Sequence, residues 1–320
     1  KAPADSFEAK MTDDPRFQEL DMPFDGKRMI YGGFEIVMDE RGDGGGATGY
    51  IDGFILPVSP GVRDRYVALA QEAATPPDTE SPFAIHGQAT YIWTRKPAFD
   101  APYSGENSLT PERAKSYSFT STLDLGLRLW RGAEFHFNPE VSQGVPFSDL
   151  HGLGGLSNGE LAKTASTSPK FYRARAFVRQ YWGMGGGDET LDADFNQFAR
   201  TVDKQRLVLT AGNFGVIDVF DQNPYGSDPR TQFMNWSFLT HGSWDYPADS
   251  RGYNWGAALE YIGDGWSARV GHFLQPLESN GRELDTRAFK HYGQMLELEK
   301  RYEIAGRPGQ ARVPLWRQRA

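Results

Sequence analysis

The stretch TSTLDLGLRLWRGAEFHFNPE, residues 120–140, sets Leu123, Leu125, Leu127 and Leu129 at every second position, with Asp124, Gly126 and Arg128 between them. A period of two puts the leucines on one face of a β-strand and the polar residues on the other, whereas a helix would scatter them around its circumference. After Trp130-Arg131-Gly132 the alternation resumes, with Ala133, Phe135 and Phe137 against Glu134, His136 and Asn138. The gap is short enough for a tight turn, so the stretch reads as an antiparallel hairpin. Two solvents fit one greasy and one charged face. In a soluble sandwich the leucines face a core, and in a membrane barrel they face lipid while the charges face water inside.

The same period recurs along the chain. FAIHGQATYIW puts Phe83, Ile85, Ala89, Tyr91 and Trp93 on one face and His86, Gln88 and Thr90 on the other. FYRARAFVRQYW sets Ala174, Ala176 and Val178 against Arg173, Arg175 and Arg179. YNWGAALEYIGDGWSARVGHF is a hairpin on Asp264-Gly265, with Tyr253, Trp255, Leu259 and Tyr261 in its outward set. YGQMLELEKRYEI alternates Leu296 and Leu298 with Glu297, Glu299, Arg301 and Glu303. With KQRLVLTAGNF this makes about eight strands, mostly nine to twelve residues long. That length suits a tilted crossing of a hydrocarbon layer, which takes about 9–11 residues, while soluble strands run to about five or six. Aromatic residues gather at the strand ends, where interfacial girdles sit: Tyr91 and Trp93, Trp130, Tyr181 and Trp182, Tyr261 and Trp266. Short turns at Arg131-Gly132 and Asp264-Gly265 contrast with long connections at 94–116, 142–170 and 217–252. Together these favour lipid outside and water inside.

Composition does not oppose this. No apolar run reaches the roughly 18 residues of a membrane-spanning helix, and the mean hydropathy of -0.57 does not separate a soluble chain from a barrel. A net charge of -8 and the lack of a basic stripe argue against nucleic acid as a partner. With no cysteine, disulfide frameworks and thiolate metal sites are excluded.

From about Pro82 onward the chain resembles the carbohydrate-selective porins of Gram-negative outer membranes. The resemblance is most specific at LTAGNFGVIDVFDQNPYGSDPRTQFMNW, DYPADSRGYNWGAALEY and YEIAGRPGQARVPLWRQRA. It implies a sixteen-stranded barrel that passes monosaccharides and small oligosaccharides by diffusion, with residues 83–320 as its N-terminal half. The expected fold class is therefore mainly β, a partial antiparallel membrane β-barrel, whose closure would need further strands. The expected partners are these sugars and outer-membrane lipid, with a homo-oligomer left open.

Residues 1–80 read differently. GKRMIYGGFEIVMDE alternates as a strand, RGDGGGATG is a flexible connector, YIDGFILPV is a strand, GVRDRYVALAQEAA is a helix with one apolar face, and TPPDTESP is a proline-rich linker. These pieces resemble a small bacterial family of unassigned function with a ferredoxin-like, dimeric α/β-barrel fold. The order is permuted: the closing half at 1–41, a linker at 42–49, the opening half at 50–74 and a second linker at 75–82. The resemblance implies a cytoplasmic kind of domain joined to a porin-like one. Lys1 is not an initiator methionine, so either the start lies upstream or a targeting segment has been removed.

Sugar passage needs hydrogen-bonding groups along a wet lumen rather than catalytic residues. The candidate pore-lining set is Asp124, Arg128, Glu134, Arg173, Arg175, Arg179, Glu297, Glu299 and Arg301, in which arginines balanced by carboxylates would form a filter for neutral substrates. The competing reading is a salt-bridged lining that only fixes the barrel's shape. Asp218, Asp221, Asn223 and Asp228 are oxygen-rich but lack EF-hand spacing. No H-E-x-x-H or G-x-G-x-x-G occurs, no carboxylate pair is singled out, and no catalytic group, metal or cofactor is expected. The leading function is passive carbohydrate transport. The alternative is a soluble carbohydrate-binding β module dimerised through the ferredoxin-like segment.

Overall fold

The computed structural model describes residues 81–320, apart from 107, 150–157, 164–166, 224–225, 243 and 280. The ferredoxin-like halves and linkers expected within 1–80 lie outside the described residues.

Nine long strands, each antiparallel to its neighbours, make one sheet. They are β1 (Phe83–Lys96), β2 (Ala114–Trp130), β3 (Ala133–Val145) and β4 (Lys170–Gly183), then β7 (Arg206–Phe214), β8 (Asn254–Ile262), β9 (Trp266–Pro276), β11 (Tyr292–Ile304) and β12 (Arg307–Arg319). Two short strands, β5 (Asp188–Leu191) and β6 (Arg200–Asp203), pair as a separate ribbon, and β10 (Leu284–Asp285) extends the edge of β9. Among the described residues the sheet runs in order from β1 to β12 without closing, so the fold is mainly β, an open partial barrel.

Burial along the strands is inverted relative to a soluble sheet. Asp124, Glu134, His136 and Asn138 are 0% exposed, whereas Leu123 and Leu125 are 48% and 38% exposed. The face carrying the carboxylates is the inner one and the face carrying the leucines is the outer one. Water could not drive such an arrangement, because it exposes the groups it should expel and buries those it should solvate. Lipid outside and polar groups inside remove the conflict.

The connections are unequal at the two ends. One end carries residues 131–132, 263–265 and 305–306, together with the longer 184–205 that bears β5 and β6. Gly132 sits at φ 80°, and a Cβ there would stand 2.5 Å from the Tyr181 carbonyl oxygen, so the β2–β3 turn needs glycine. The other end carries 97–113, 146–169, 215–253 and 277–291. Residues Val216, Val219, Phe220 and Trp244 of the 215–253 connection fold onto the inner face, where they pack with Phe177, Phe214, Phe273 and Met295. The inner face is therefore lined partly by strand residues and partly by chain folded back against them.

Three sequence expectations need correction. The strand count of about eight becomes nine, because Arg307–Arg319 is a full strand after a turn on Ala305-Gly306. Tyr253, expected to face outward, precedes β8 and is buried, its hydroxyl 3.2 Å from Glu140 Oε1. Arg173 lies on the opposite face from Arg175. Asn138 pairs with Arg175, but the next residue, Pro139, pairs with Arg173, so Ala174 is an extra residue on β4. Proline has no N–H for the ladder and is tolerated in a sheet interior at a bulge. The bulge reverses the alternation, and Arg173 lies over the outward Trp255 ring at 5.1 Å.

Candidate functional site

Period-two strands project side chains from several neighbouring strands onto one inner surface, and three polar clusters form there. The first lies toward the short-turn end. Asp124 of β2 receives Asn138 Nδ2 at 3.1 Å, lies 2.8 Å from His136 Nδ1 and 3.4 Å from His86 Nδ1, and accepts the Asn196 backbone N–H at 2.7 Å. Glu134 of β3 takes Arg179 Nη1 at 3.3 Å and Arg200 Nη2 at 2.5 Å. Asn196 and Arg200 belong to the 184–205 connection, which turns back over the inner face. Arg128 holds it there, donating from Nη2 to the Ala199 carbonyl at 2.7 Å and lying over the Phe198 ring at 4.5 Å. Phe198 is 2% exposed and packs against His136 with ring centroids 5.6 Å apart.

A second cluster sits toward the long-connection end. Glu140 of β3 accepts from Thr122 Oγ1 at 2.5 Å and from the hydroxyls of Tyr172 and Tyr253. Arg230 reaches across from the 215–253 connection, 3.7 Å from Glu140 Oε2 and 3.0 Å from Glu160 Oε2. Thr120 Oγ1 donates to the same Glu160 at 2.6 Å. Between the first two clusters Arg175 makes a two-pronged contact with Asp218, Nε to Oδ2 at 2.7 Å and Nη2 to Oδ1 at 2.6 Å. Burial, the largest single effect, would raise the Asp218 carboxyl, but the Arg175 guanidinium, the Gly215 N–H and Arg179 together hold the group below its ordinary range.

The third cluster belongs to the later strands. Arg269 of β9 bridges Glu260 at 2.9 Å, Glu297 at 2.8 Å and Glu299 at 3.1 Å. Glu297 also accepts the Asp221 backbone N–H at 2.7 Å, and Glu299 takes Arg312 Nε at 2.8 Å. Arg301 donates to the Gly263 carbonyl at 2.9 Å, beside the β8–β9 turn.

The structure therefore places Asp124, Arg128, Glu134 and Arg179 in one cluster and Glu297, Glu299 and Arg301 in another, Arg301 Nε lying 3.9 Å from Glu299 Oε1; Arg175 stands apart on the same face, and Arg173 lies outside it. Sequence reasoning missed Arg200, Arg230, Arg269, Glu140 and His136 as lining groups. Arg269, Glu140 and His136 carried the same alternating signal as the residues chosen. Arg200 and Arg230 lie in aperiodic connections, where no spacing marks them. The oxygen-rich loop is occupied by its own chain: Asp218 by Arg175, and Asp228 by the Arg230 backbone N–H and the Thr231 hydroxyl. Among the described residues no group of three or more His, Asp or Glu side chains is arranged to hold a metal ion.

Chemically, this surface offers carboxylates and guanidiniums fixed in mutual contact, flanked by hydroxyls and aromatic faces. Such a lining is nearly neutral locally and rich in donors and acceptors, which suits polyhydroxylated neutral solutes better than ions.

Comparison with known proteins gives three findings. The model of a family described as the carbohydrate-selective porin, OprB family, matches residues 106–314. A 38-residue stretch is 60% identical to the uncharacterized protein YbaA of Escherichia coli K12 and to that of Shigella flexneri, covering 11% of this chain and 32% of each of theirs. The chain thus spans about a third of the length of these curated relatives. Among solved structures, OprB of Pseudomonas putida is similar with a TM-score of 0.49 at 15% identity, over 80% of this chain and 55% of that one.

Proposed function

Given that the chain belongs to the carbohydrate-selective porin, OprB, family, we propose that residues 83–320 form part of a water-filled outer-membrane pore for passive diffusion of mono- and small oligosaccharides. The observation that carries this reading is the inverted burial of the strands: buried Asp124, Glu134, Glu140 and Glu297 against exposed Leu123, Leu125, Leu298 and Leu315.

The route runs along the inner face. The part-exposed guanidiniums of Arg179, Arg230 and Arg269, held rigid by the buried carboxylates of Glu134, Glu140 and Glu297, are the donors along which sugar hydroxyls exchange water for protein hydrogen bonds one at a time. Because the charges are paired, the lining does not hold an ion strongly, and a neutral sugar is neither trapped nor repelled. The 184–205 and 215–253 connections narrow the passage from opposite ends. The remaining wall must come from strands added at β1 and β12, since lipid does not satisfy an open sheet edge. No step calls for a catalytic group.

The test is swelling of liposomes carrying the full chain, isosmotic in glucose or in a large dextran. Glucose should enter faster than into protein-free liposomes, and dextran should not. Glucose entry at the protein-free rate, or a chain that is monodisperse in detergent-free buffer, would sink the reading.

A further inference from the structure

β2 sets Asp124, Gly126 and Arg128 on the inner face, and the middle position carries no side chain. The ring of Phe198 fills that place, since a Cβ on Gly126 would stand 2.9 Å from it. Phe198 belongs to the connection between β4 and β7, most of which is a hairpin, β5 paired antiparallel with β6. The neck of this hairpin is three successive glycines, Gly185, Gly186 and Gly187, at φ 86°, 86° and 90°, a conformation other residues rarely adopt. Backbone bonds close the neck, from the Met184 N–H to the Gln205 carbonyl and from the Lys204 N–H to the Gly187 carbonyl, both at 2.8 Å. The tip is a tight turn over 194–197, closed by two backbone bonds of 3.1 and 3.0 Å, with Asn196 at φ 62°.

Two residues suffice to join β2 to β3, yet the chain spends this hairpin between β4 and β7 and ties it down across three strands. The Asn196 N–H bonds Asp124 of β2 at 2.7 Å, and Arg179 of β4 donates to the Asn196 carbonyl at 2.7 Å. Arg200 bonds Glu134 of β3 at 2.5 Å, and Arg128 of β2 holds the Ala199 carbonyl at 2.7 Å. His136 stands between the two anchoring carboxylates, 2.8 Å from Asp124 Oδ1 and 3.5 Å from Glu134 Oε1. Bonds to carboxylates buried this way are charge-assisted and shielded from water, so the tip is fixed against the wall. Asp192 and Asp194, beside the tip, remain exposed. A layer stacked on a sheet stands about 10 Å from it, and the hairpin takes that width from the lumen.

We infer that the hairpin is a constriction at the short-turn end of the pore and that its fixed tip, residues 192–197, sets the largest sugar that passes. The inference rests on the pore reading above and deepens it by assigning the size limit to a segment outside the barrel strands. A ledge that swung freely would pass whatever the barrel admits. A ledge bonded to three strands discriminates by the solute's cross-section.

The experiment compares liposomes carrying the full chain with liposomes carrying a variant in which Asn-Gly replaces residues 188–203. The bond between Lys204 and Gly187 holds the two cut ends side by side, so a two-residue turn joins them. Swelling follows the entry of glucose and of the tetrasaccharide stachyose. The stachyose-to-glucose ratio of rates should rise about ten-fold in the variant, equivalent to about 1.4 kcal/mol of barrier. An unchanged ratio overturns the constriction. Should the variant give no folded band on unheated gels, a label decides. The chain has no cysteine, so Asp192→Cys accepts a bulky methanethiosulfonate at one place. Labelling should slow glucose entry several-fold and reduction should restore it, while the same label on Asp264→Cys, in the β8–β9 turn at the same end, leaves entry unchanged. Unchanged entry after labelling at 192, or equal slowing at both positions, overturns the inference. Glucose entry at the protein-free rate in the unaltered chain fails the pore reading itself, a result distinct from the others.

Discussion

Arg175 and Asp218 show how single residues fasten connection to wall. Asp218 ends a short turn of helix, Val216–Asp218, and takes the Gly215 N–H at 2.8 Å besides both prongs of Arg175. Burial is the largest single effect and would raise its carboxyl, but Arg175, the Gly215 N–H and Arg179 together hold it below the usual range. A depressed folded pKa contributes stability above the unfolded value, near 4, and that stability is lost as pH falls through the folded value. Asp218→Asn keeps the shape and one acceptor but loses the charge-assisted pair, at a cost of roughly 1.5–3 kcal/mol. Tryptophan fluorescence during denaturation, which reports on Trp244 in the same inner cluster, should show a lower midpoint for the variant and a weaker acid dependence below about pH 4. Equal midpoints and equal acid response would refute the role. The sequence displayed Arg175 as an inward cation but not its partner, since Asp218 stands in a stretch without period. Arg173 shows the converse: its alternation was legible, and a proline on the neighbouring strand reversed its direction.

At the scale of elements, the hairpin β11–β12 turns on two residues, Ala305 at φ 53° and Gly306 at φ 74°. Positive φ at both central positions is the type I′ pattern, for which Asn-Gly is preferred and alanine is a poor first residue. Ala305→Asn should therefore stabilise the hairpin by on the order of 0.5 kcal/mol, seen as a higher temperature for loss of the folded band on unheated gels. A lower temperature would mean the turn is of another kind. Ala-Gly is a weak turn signal, so the sequence does not mark Arg307–Arg319 as a strand. Asp264-Gly265 and Arg131-Gly132 announced their hairpins because alternating strands flank them on both sides. The β5–β6 ribbon was illegible for a different reason. Its four-residue strands carry too few alternations to stand out, and the Asn196–Arg200 stretch is held by Asp124 and Glu134, groups distant in sequence.

At the largest scale, the decisive fact is that, among the described residues, β1 and β12 each have one neighbour in the sheet. Half the backbone groups of each strand therefore point along a free edge. In water such an edge is merely a liability, but within hydrocarbon each unsatisfied N–H or C=O costs several kcal/mol, and strands of 14 and 13 residues carry many of them. That cost exceeds the net stability of an ordinary domain, so a sheet in a bilayer cannot keep both edges bare. Period two specifies what faces lipid and what faces water, yet it is silent about which strand lies beside the first and the last. Hydrogen exchange resolves this. In liposomes, edge-directed amides of β1 and β12 should exchange as slowly as those of β3, which is paired on both sides, because added strands or another copy complete the ladder. In detergent-free buffer the same amides should exchange fast. Fast edge exchange in liposomes, alongside slow exchange in β3, would place the open sheet outside the hydrocarbon and return the leucine face to some other apolar partner. Slow exchange would mean that closure, and with it a lumen continuous enough to conduct sugar, comes from assembly beyond these nine strands.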